Sequence, residues 1–385
     1  MKVLIAAGGT GGHLYPALAI ASYLKKIDYT NCILWVGGKR TLEFKIVSSE
    51  GFKFKKISIQ SYPRTLSIKW ATFWLNLWIS FAQSLVIILW FKPQVVVGAG
   101  SFHSYPIVML SFFLGIPTLI CEQNLHPSLS NRFLCRWASK IAISFPQTKD
   151  FFPLKVRNKL YFTGNPLRSQ IFKLKREDAL IKLGLDKDKF TLLFTGGSQG
   201  AHSLNLSAIE AIKLLEKKEG SDKKIQVIFI TGKNDFKWVE ESLKTVKIKS
   251  LILSYLNQME YAYNASDLII CRSGATTISE ITALGLPAIL IPYPYATEEH
   301  QLKNAEVLQK NGAALIITEK ELRGEGLKEN ILKLINDRNL LKEMGKKGKA
   351  LGKPEATEEI VKIIYSLAKK TEKAEKEGLK GKRYW

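Results

Sequence analysis

Val3-Leu4-Ile5-Ala6-Ala7-Gly8-Gly9-Thr10-Gly11-Gly12-His13, running into the helix-patterned stretch Tyr15–Lys26, is where the fold first becomes readable. Five apolar residues without alternation mark a strand buried on both faces, which means a parallel strand with helices above and below it. The glycines that follow let the backbone turn tightly into a helix. Working outward, short apolar runs recur at Ile33–Val36, Val95–Val97 and Thr118–Cys121, separated by helix-like stretches at Thr41–Glu50 and 70–91. This is the βαβ rhythm of a doubly wound sheet. After the turn signal Gly164-Asn165-Pro166 the rhythm restarts, with strands expected at Phe190–Thr195, Gln226–Ile230, Ser250–Leu253, Leu268–Ile270 and Ala288–Ile291. The expectation is an α/β chain of two Rossmann-like domains facing across a cleft. The first spans 1–164 and is completed by a helix over 355–370, the second spans 165–354, and a basic tail over 371–385 is expected to be disordered. In such sheets ligands collect at the carboxyl ends of the strands.

Four motifs sit at those ends. Gly8-Gly9-Thr10-Gly11-Gly12-His13 is not the G-x-G-x-x-G spacing of dinucleotide folds, and Trp35-Val36-Gly37-Gly38 ends the second strand without an acid, which argues against NAD. A helix start there favours an anionic or hydroxyl-rich ligand, and His13 has the chemistry of a general base, with a helix-capping histidine as the structural alternative. Gly196-Gly197-Ser198-Gln199-Gly200-Ala201 is a second glycine loop, able to cradle an anion with the Ser198 hydroxyl added to its amides. Arg272-Ser273-Gly274-Ala275-Thr276-Thr277-Ile278-Ser279-Glu280 opens a helix that suits a diphosphate, with Glu280 placed for a ribose diol. The segment 292–305, with Gln301, offers amide and carboxylate groups for sugar hydroxyls. Glu122-Gln123-Asn124 ends a strand and should present polar groups, and Arg168 past the hinge either meets a phosphate or pairs at the surface. Asp186-Lys187-Asp188 matches a D-x-D pattern but reads as a solvated turn.

The chain has 385 residues and carries 57 Lys and Arg against 34 Asp and Glu, a net charge of +23. Nucleic acid, an anionic membrane surface and a phosphorylated substrate all suit that sign. Residues 1–164 hold 19 of the basic and 5 of the acidic residues, or +14, so the first domain is the strongly cationic one. No RRM, helix-turn-helix or finger pattern is present, and a nucleic-acid binder would leave the glycine loops without purpose. Cys32, Cys121, Cys135 and Cys271 are dispersed, which argues against a disulfide scaffold or a structural zinc site. Met1-Lys2 leads straight into the first strand, so no secretory leader is expected. From Trp70 to Phe91 there are 22 uncharged residues, enough to cross a bilayer, lie in its interface or sit buried in the fold. Thr72, Asn76, Ser80, Gln83 and Ser84 fall on one narrow helical stripe. Seven aromatic residues with Arg64, Lys69 and Lys92 flanking suit the interfacial placement.

Taken together, the GGTGGH loop, Ser101-Phe102-His103-Ser104-Tyr105-Pro106, EQN at 122–124, Gly164-Asn165-Pro166-Leu167-Arg168, GGSQGA, RSGATTISE and HQLKNA resemble the MurG family over residues 1–368. The resemblance implies the GT-B architecture and an inverting, metal-independent transfer. N-acetylglucosamine would pass from UDP-GlcNAc, a substrate and not a cofactor, to undecaprenyl-pyrophosphoryl-MurNAc-pentapeptide, converting lipid I to lipid II in peptidoglycan synthesis. It implies peripheral attachment to the cytoplasmic face of the cell membrane, here through residues 64–92, and no nucleic-acid partner. Carried over by position, Thr10, Gly11, Gly12, Asn124, Arg168, Ser198, Ala275, Thr276, Thr277, Ile278, Ser279, Glu280 and Gln301 match its donor-contacting motifs. Leu256 matches a backbone contact to uracil, and His13 the histidine proposed as base. Cys121 stands where the family commonly has histidine, and Ser128 replaces a frequent glycine. A diacylglycerol-glycosylating relative and a UDP-sugar 2-epimerase share this architecture, although an epimerase needs no apolar 70–91 surface.

Overall fold

The computed structural model describes residues 1–9, 11–38, 41–60, 69–218 and 220–376. Thr10, Arg64 and the tail beyond residue 376 lie outside the described residues. The chain divides into two compact units, Met1–Arg168 with Pro354–Trp385, and Ser169–Lys353.

In the first unit seven strands, β1 (Lys2–Ala6), β2 (Cys32–Gly37), β3 (Lys53–Lys56), β4 (Val95–Gly98), β5 (Thr118–Glu122), β6 (Lys140–Ile143) and β7 (Leu160–Phe162), form one parallel sheet. The order is β3-β2-β1-β4-β5-β6-β7. Val3 lies opposite both Ile33 and Val95. The unbroken apolar run of β1 serves both faces. Val3 and Ile5 pack with Leu14, Ala17, Ile20 and Leu24 of the Gly11–Ile27 helix and with Ile360, Ile364 and Leu367 of the last helix. Leu4 and Ala6 pack on the other side with Ile87, Ile88, Phe91 and Ile107. The C-terminal helix runs Ala356–Lys376, six residues past the end expected from the pattern. It is tied to the first unit by Thr357, whose hydroxyl accepts from the Leu167 N–H and donates to the Leu167 carbonyl, both at 2.8 Å.

Three strands of this sheet carry weak sequence signals. In β3 (KFKK) three of four residues are lysines, and backbone pairing to β2 at the sheet edge outweighs that composition. The strand β7 is three residues long, and β6 opens on a lysine, so neither shows a readable period.

The helix over the apolar segment spans Lys69–Phe91. Its inward edge is Phe73, Leu77, Ser80, Ser84, Ile87, Ile88 and Phe91, and its outward face exposes Trp74, Leu75, Trp78, Val86, Leu89 and Trp90, Trp78 to 73%. Much of the polar stripe therefore faces the protein: Ser80 donates to the Leu77 carbonyl, and Gln83 accepts from the Ser58 N–H. The next strand, β4, lies between β1 and β5 in mid-sheet, so the helix is an integral layer of this unit.

The second unit repeats the scheme with β8 (Phe190–Thr195), β9 (Ile225–Ile230), β10 (Lys249–Leu253), β11 (Leu268–Cys271), β12 (Ala288–Leu290) and β13 (Ala314–Ile316). These are parallel, in the order β10-β9-β8-β11-β12-β13. Phe194 and Phe229 are fully buried against Leu204, Ile212, Leu327 and Ile331 of flanking helices. The strand β13, like β7, is three residues long, too few to show a period in the sequence. Strand order reverses direction at β1/β4 in one unit and at β8/β11 in the other, and those are the points where such sheets open to ligands.

Candidate active site

In the first unit the ends of β1, β4 and β5 converge at the β1/β4 reversal. Gly11, Gly12 and His13 form the first turn of the Gly11–Ile27 helix, which starts four residues before the expected Tyr15. The glycines thus belong to a helix start as much as to a loop. The Gly9 N–H donates to Glu43 Oε1 at 2.6 Å, and Glu43 is buried, so a protein carboxylate already engages this turn. His13 Nδ1 lies 3.1 Å from Gln123 Oε1, and Gln123 Nε2 donates to the Ala99 carbonyl at 3.3 Å. Gly100 has φ +84°, and a Cβ there would stand 2.6 Å from Gln123 Oε1 and 3.2 Å from His13 Nδ1. Only glycine leaves room for that pairing.

Asn124 is held from its own backbone, its N–H donating to Glu122 Oε1 at 3.0 Å. Glu122 Oε2 accepts from the Ser128 N–H at 2.9 Å and from Asn131 Nδ2 at 2.8 Å. Burial pushes the Glu122 pKa up, while these donors pull the other way. Ser128 caps the helix that follows and donates to the Gly100 carbonyl at 3.1 Å. Cys121 is buried, its thiol pushed up to about 12 by burial and the neighbouring Glu122. Arg168, the last residue of this unit, sets its guanidinium 5.2 Å from the Tyr15 ring centroid.

In the second unit Ser198, Leu256, Ala275–Glu280 and Gln301 lie beyond the carboxyl ends of β8, β10, β11 and β12, along one edge of the sheet. Gly197, Ser198 and Gln199 are exposed, while Gly200 (φ +79°) approaches the next loop so closely that a Cβ would meet the Thr231 carbonyl at 2.2 Å. Gly274 precedes the Ala275–Leu284 helix, with Thr276 and Thr277 half-exposed in its first turn. Ile278 is different. Its side chain is buried in the core and its N–H donates to the Gly274 carbonyl, so it supports the turn from behind. Ser279 donates to the Ala275 carbonyl. Glu280 is buried and its Oε2 accepts from the Tyr263 hydroxyl at 2.8 Å. Gln301 Oε1 accepts from the Tyr293 N–H, and its carbonyl accepts from the Ser273 hydroxyl.

Arg272 joins these loops. Its guanidinium donates to the carbonyls of Ile291 and Pro292, to Ser203 Oγ and to Glu319 Oε2, and stacks near Tyr293. Burial raises the Glu319 carboxyl, but its bonds to Arg272 and Ser203 outweigh this and leave it below the ordinary carboxylate range. Glu122 and Gln123 belong to the segment expected to present polar groups at a strand end, and Arg272 to the motif after β11, though none of the three carries an assigned role in the sequence. Glu43 and Tyr263 have no local signal, because their partners lie 34 and 17 residues away. Among the described residues no three His, Cys, Asp or Glu side chains are grouped as a metal site.

The glycosyltransferase family 28 N-terminal domain matches residues 3–143, and the family 28 C-terminal domain matches residues 191–360. The UDP-N-acetylglucosamine--N-acetylmuramyl-(pentapeptide) pyrophosphoryl-undecaprenol N-acetylglucosamine transferase of Halothermothrix orenii is 42% identical, covering 96% of this chain and 100% of its own length. The corresponding transferase of Acetivibrio thermocellus is 40% identical over 96% of this chain and 99% of its length. Among solved structures, Acinetobacter baumannii MurG superposes with a TM-score of 0.73 at 27% identity, over 95% of this chain and 99% of that one. A UDP-GlcNAc 2-epimerase from Neisseria meningitidis, bound to UDP-GlcNAc, shares the fold alone, with a TM-score of 0.64 at 17% identity over 95% and 100% of the two chains.

Proposed function

Since this chain belongs to glycosyltransferase family 28 and groups with its UDP-GlcNAc-dependent members, we propose that it transfers N-acetylglucosamine from UDP-GlcNAc to the C4 hydroxyl of undecaprenyl-pyrophosphoryl-MurNAc-pentapeptide, the lipid I to lipid II step of peptidoglycan synthesis. The observation that carries this reading is identity of about 40% extending through both units to relatives bearing that transferase name.

The reaction is a single displacement with inversion. The second unit holds the donor: uracil against the Leu256 backbone, the ribose diol on Glu280, and the diphosphate on the Ser198 loop and the Gly274 helix start, whose amides favour negative charge. Gln301, anchored through Tyr293 and Ser273, offers its amide to the sugar. The first unit holds the acceptor. His13 removes the proton of the attacking hydroxyl as the bond to the anomeric carbon forms, and UDP departs with its charge held by those amides. A positioned base contributes about 10²–10⁴-fold in rate. No metal takes part in this scheme, since the helix-start amides supply the positive field.

Attachment is peripheral, on the cytoplasmic membrane face, through the outward face of the Lys69–Phe91 helix. Its exposed tryptophans are the residue type that settles at a headgroup boundary. Lys55, stacked 5.3 Å from the Trp90 ring, sets a cation at that face. Each such cation adds about 1 kcal/mol near an anionic surface.

Incubation with labelled UDP-GlcNAc and a lipid I analogue, with and without EDTA, tests the scheme. Formation of the disaccharide lipid at equal rates in both is expected. Loss of activity in EDTA overturns the metal-free part. Isomerisation of UDP-GlcNAc without acceptor, or transfer to diacylglycerol instead, overturns the assignment.

A further inference from the structure

Resting on the reading of His13 as base, we propose that Gln123 is a positioning residue that fixes the neutral His13 ring with its proton on Nδ1, leaving Nε2 as the nitrogen that takes the acceptor's proton. Gln123 is 2% exposed, and among the described residues its carboxamide meets two hydrogen-bonding groups, the Ala99 carbonyl and His13 Nδ1. Only one orientation satisfies both. With Nε2 donating to Ala99, Oε1 faces His13, and an oxygen that only accepts requires Nδ1 to carry the hydrogen. The flipped amide would set Oε1 against the Ala99 carbonyl, two acceptors in a buried space, and leave an unmatched pair there. Gly100 is the second observation. Its missing Cβ is the space that the His13–Gln123 bond occupies, so backbone, amide and ring are matched to one arrangement. The bond on one ring nitrogen of a histidine determines which nitrogen is left to act, and a wrong tautomer disables an otherwise intact site.

The test is made on the full-length protein labelled with ¹⁵N-histidine, reading the His13 ring nitrogens by long-range ¹⁵N–¹H correlation, with His13→Ala to assign the signal. Wild type is expected to show the proton on Nδ1, and Gln123→Leu to lose that preference. Gln123→Leu should lower kcat about 100-fold with the KM for UDP-GlcNAc within twofold. Gln123→Glu, which keeps an accepting oxygen in either ionisation state, should hold the Nδ1–H tautomer and recover at least tenfold of that loss. A wild-type ring protonated on Nε2 overturns the proposal outright, and this measurement needs no variant of Gln123 to fold. If the tautomer shifts in Gln123→Leu while both that variant and His13→Ala keep full kcat, the base reading falls and the catalytic claim falls with it, although the ring assignment stands. If kcat falls in Gln123→Leu without a tautomer shift, Gln123 acts only as structure and the proposal is overturned.

Discussion

At the residue scale, the chemistry rests on side chains whose direction is dictated by buried partners. His13→Ala is expected to reduce turnover by about 10²–10⁴-fold, with UDP affinity by titration calorimetry unchanged; equal loss of both would assign it to binding. Glu280 faces the opposite test. Hydrogen bonds to charged groups are worth about 1.5–3 kcal/mol, so Glu280→Ala should weaken UDP binding by about 10–100-fold. Tyr263→Phe, which removes only the donor at 2.8 Å that steadies the carboxylate, should cost less. Equal losses would show that Glu280 merely serves Tyr263. The cysteines give a check on burial. Cys121 and Cys271 are pushed up to about 12, and Cys135 is raised as well, all chiefly by burial, whereas Cys32 is partly exposed. At pH 8 a thiol with that pKa is ionised to about one part in 10⁴. One fast thiol, Cys32, should therefore react with a disulfide reagent in the native protein, the others only on unfolding.

At the scale of elements, the Lys69–Phe91 helix shows how a pattern can be read correctly and oriented only by packing. A polar stripe on an otherwise apolar helix ordinarily faces water. Here Ser80 and Ser84 are fully buried and much of the apolar circumference is exposed, because the inward edge must lie close against the sheet and the Ser104–Phe113 helix, where small residues fit. Aromatic contacts continue inward, from Phe73 to Phe102 at 5.7 Å and from Phe102 stacked on Tyr105 at 5.5 Å, into the segment after β4 that carries Gly100. Replacing Trp74 and Trp78 together by serine should lower affinity for anionic vesicles about tenfold or more, since burying a large apolar side chain is worth about 1.5–3 kcal/mol. Stability should move by about 0.5 kcal/mol or less per exposed site. A protein that sediments with vesicles as before would remove this face from the membrane reading.

At the scale of the whole molecule, the chain's return to its first unit matters most. Ile360, Ile364 and Leu367 sit in the same core as Val3 and Ile5, some 355 residues earlier in the chain. Ile364→Ala should cost that unit about 2–5 kcal/mol, read as an earlier urea transition, while Ile331→Ala should do the same for the second unit. Much of this architecture was open to inspection in one dimension. Unbroken apolar runs that end in glycine and alternate with helix-patterned stretches read as parallel strands covered on both faces, and that local rule delivered the two doubly wound sheets. Candidate residues such as His13, Ser198 and Gln301 stand out because their motifs follow those strand ends. Hidden from such reading were the strands too short or too charged to show a period, the side of the Lys69–Phe91 helix that faces out, the residues Glu43 and Tyr263, and the bonding partners of Gln123 and Arg272. Those depend on contacts across many residues of chain, where burial, close approach at Gly100 and hydrogen-bond satisfaction select a partner that no local pattern can name.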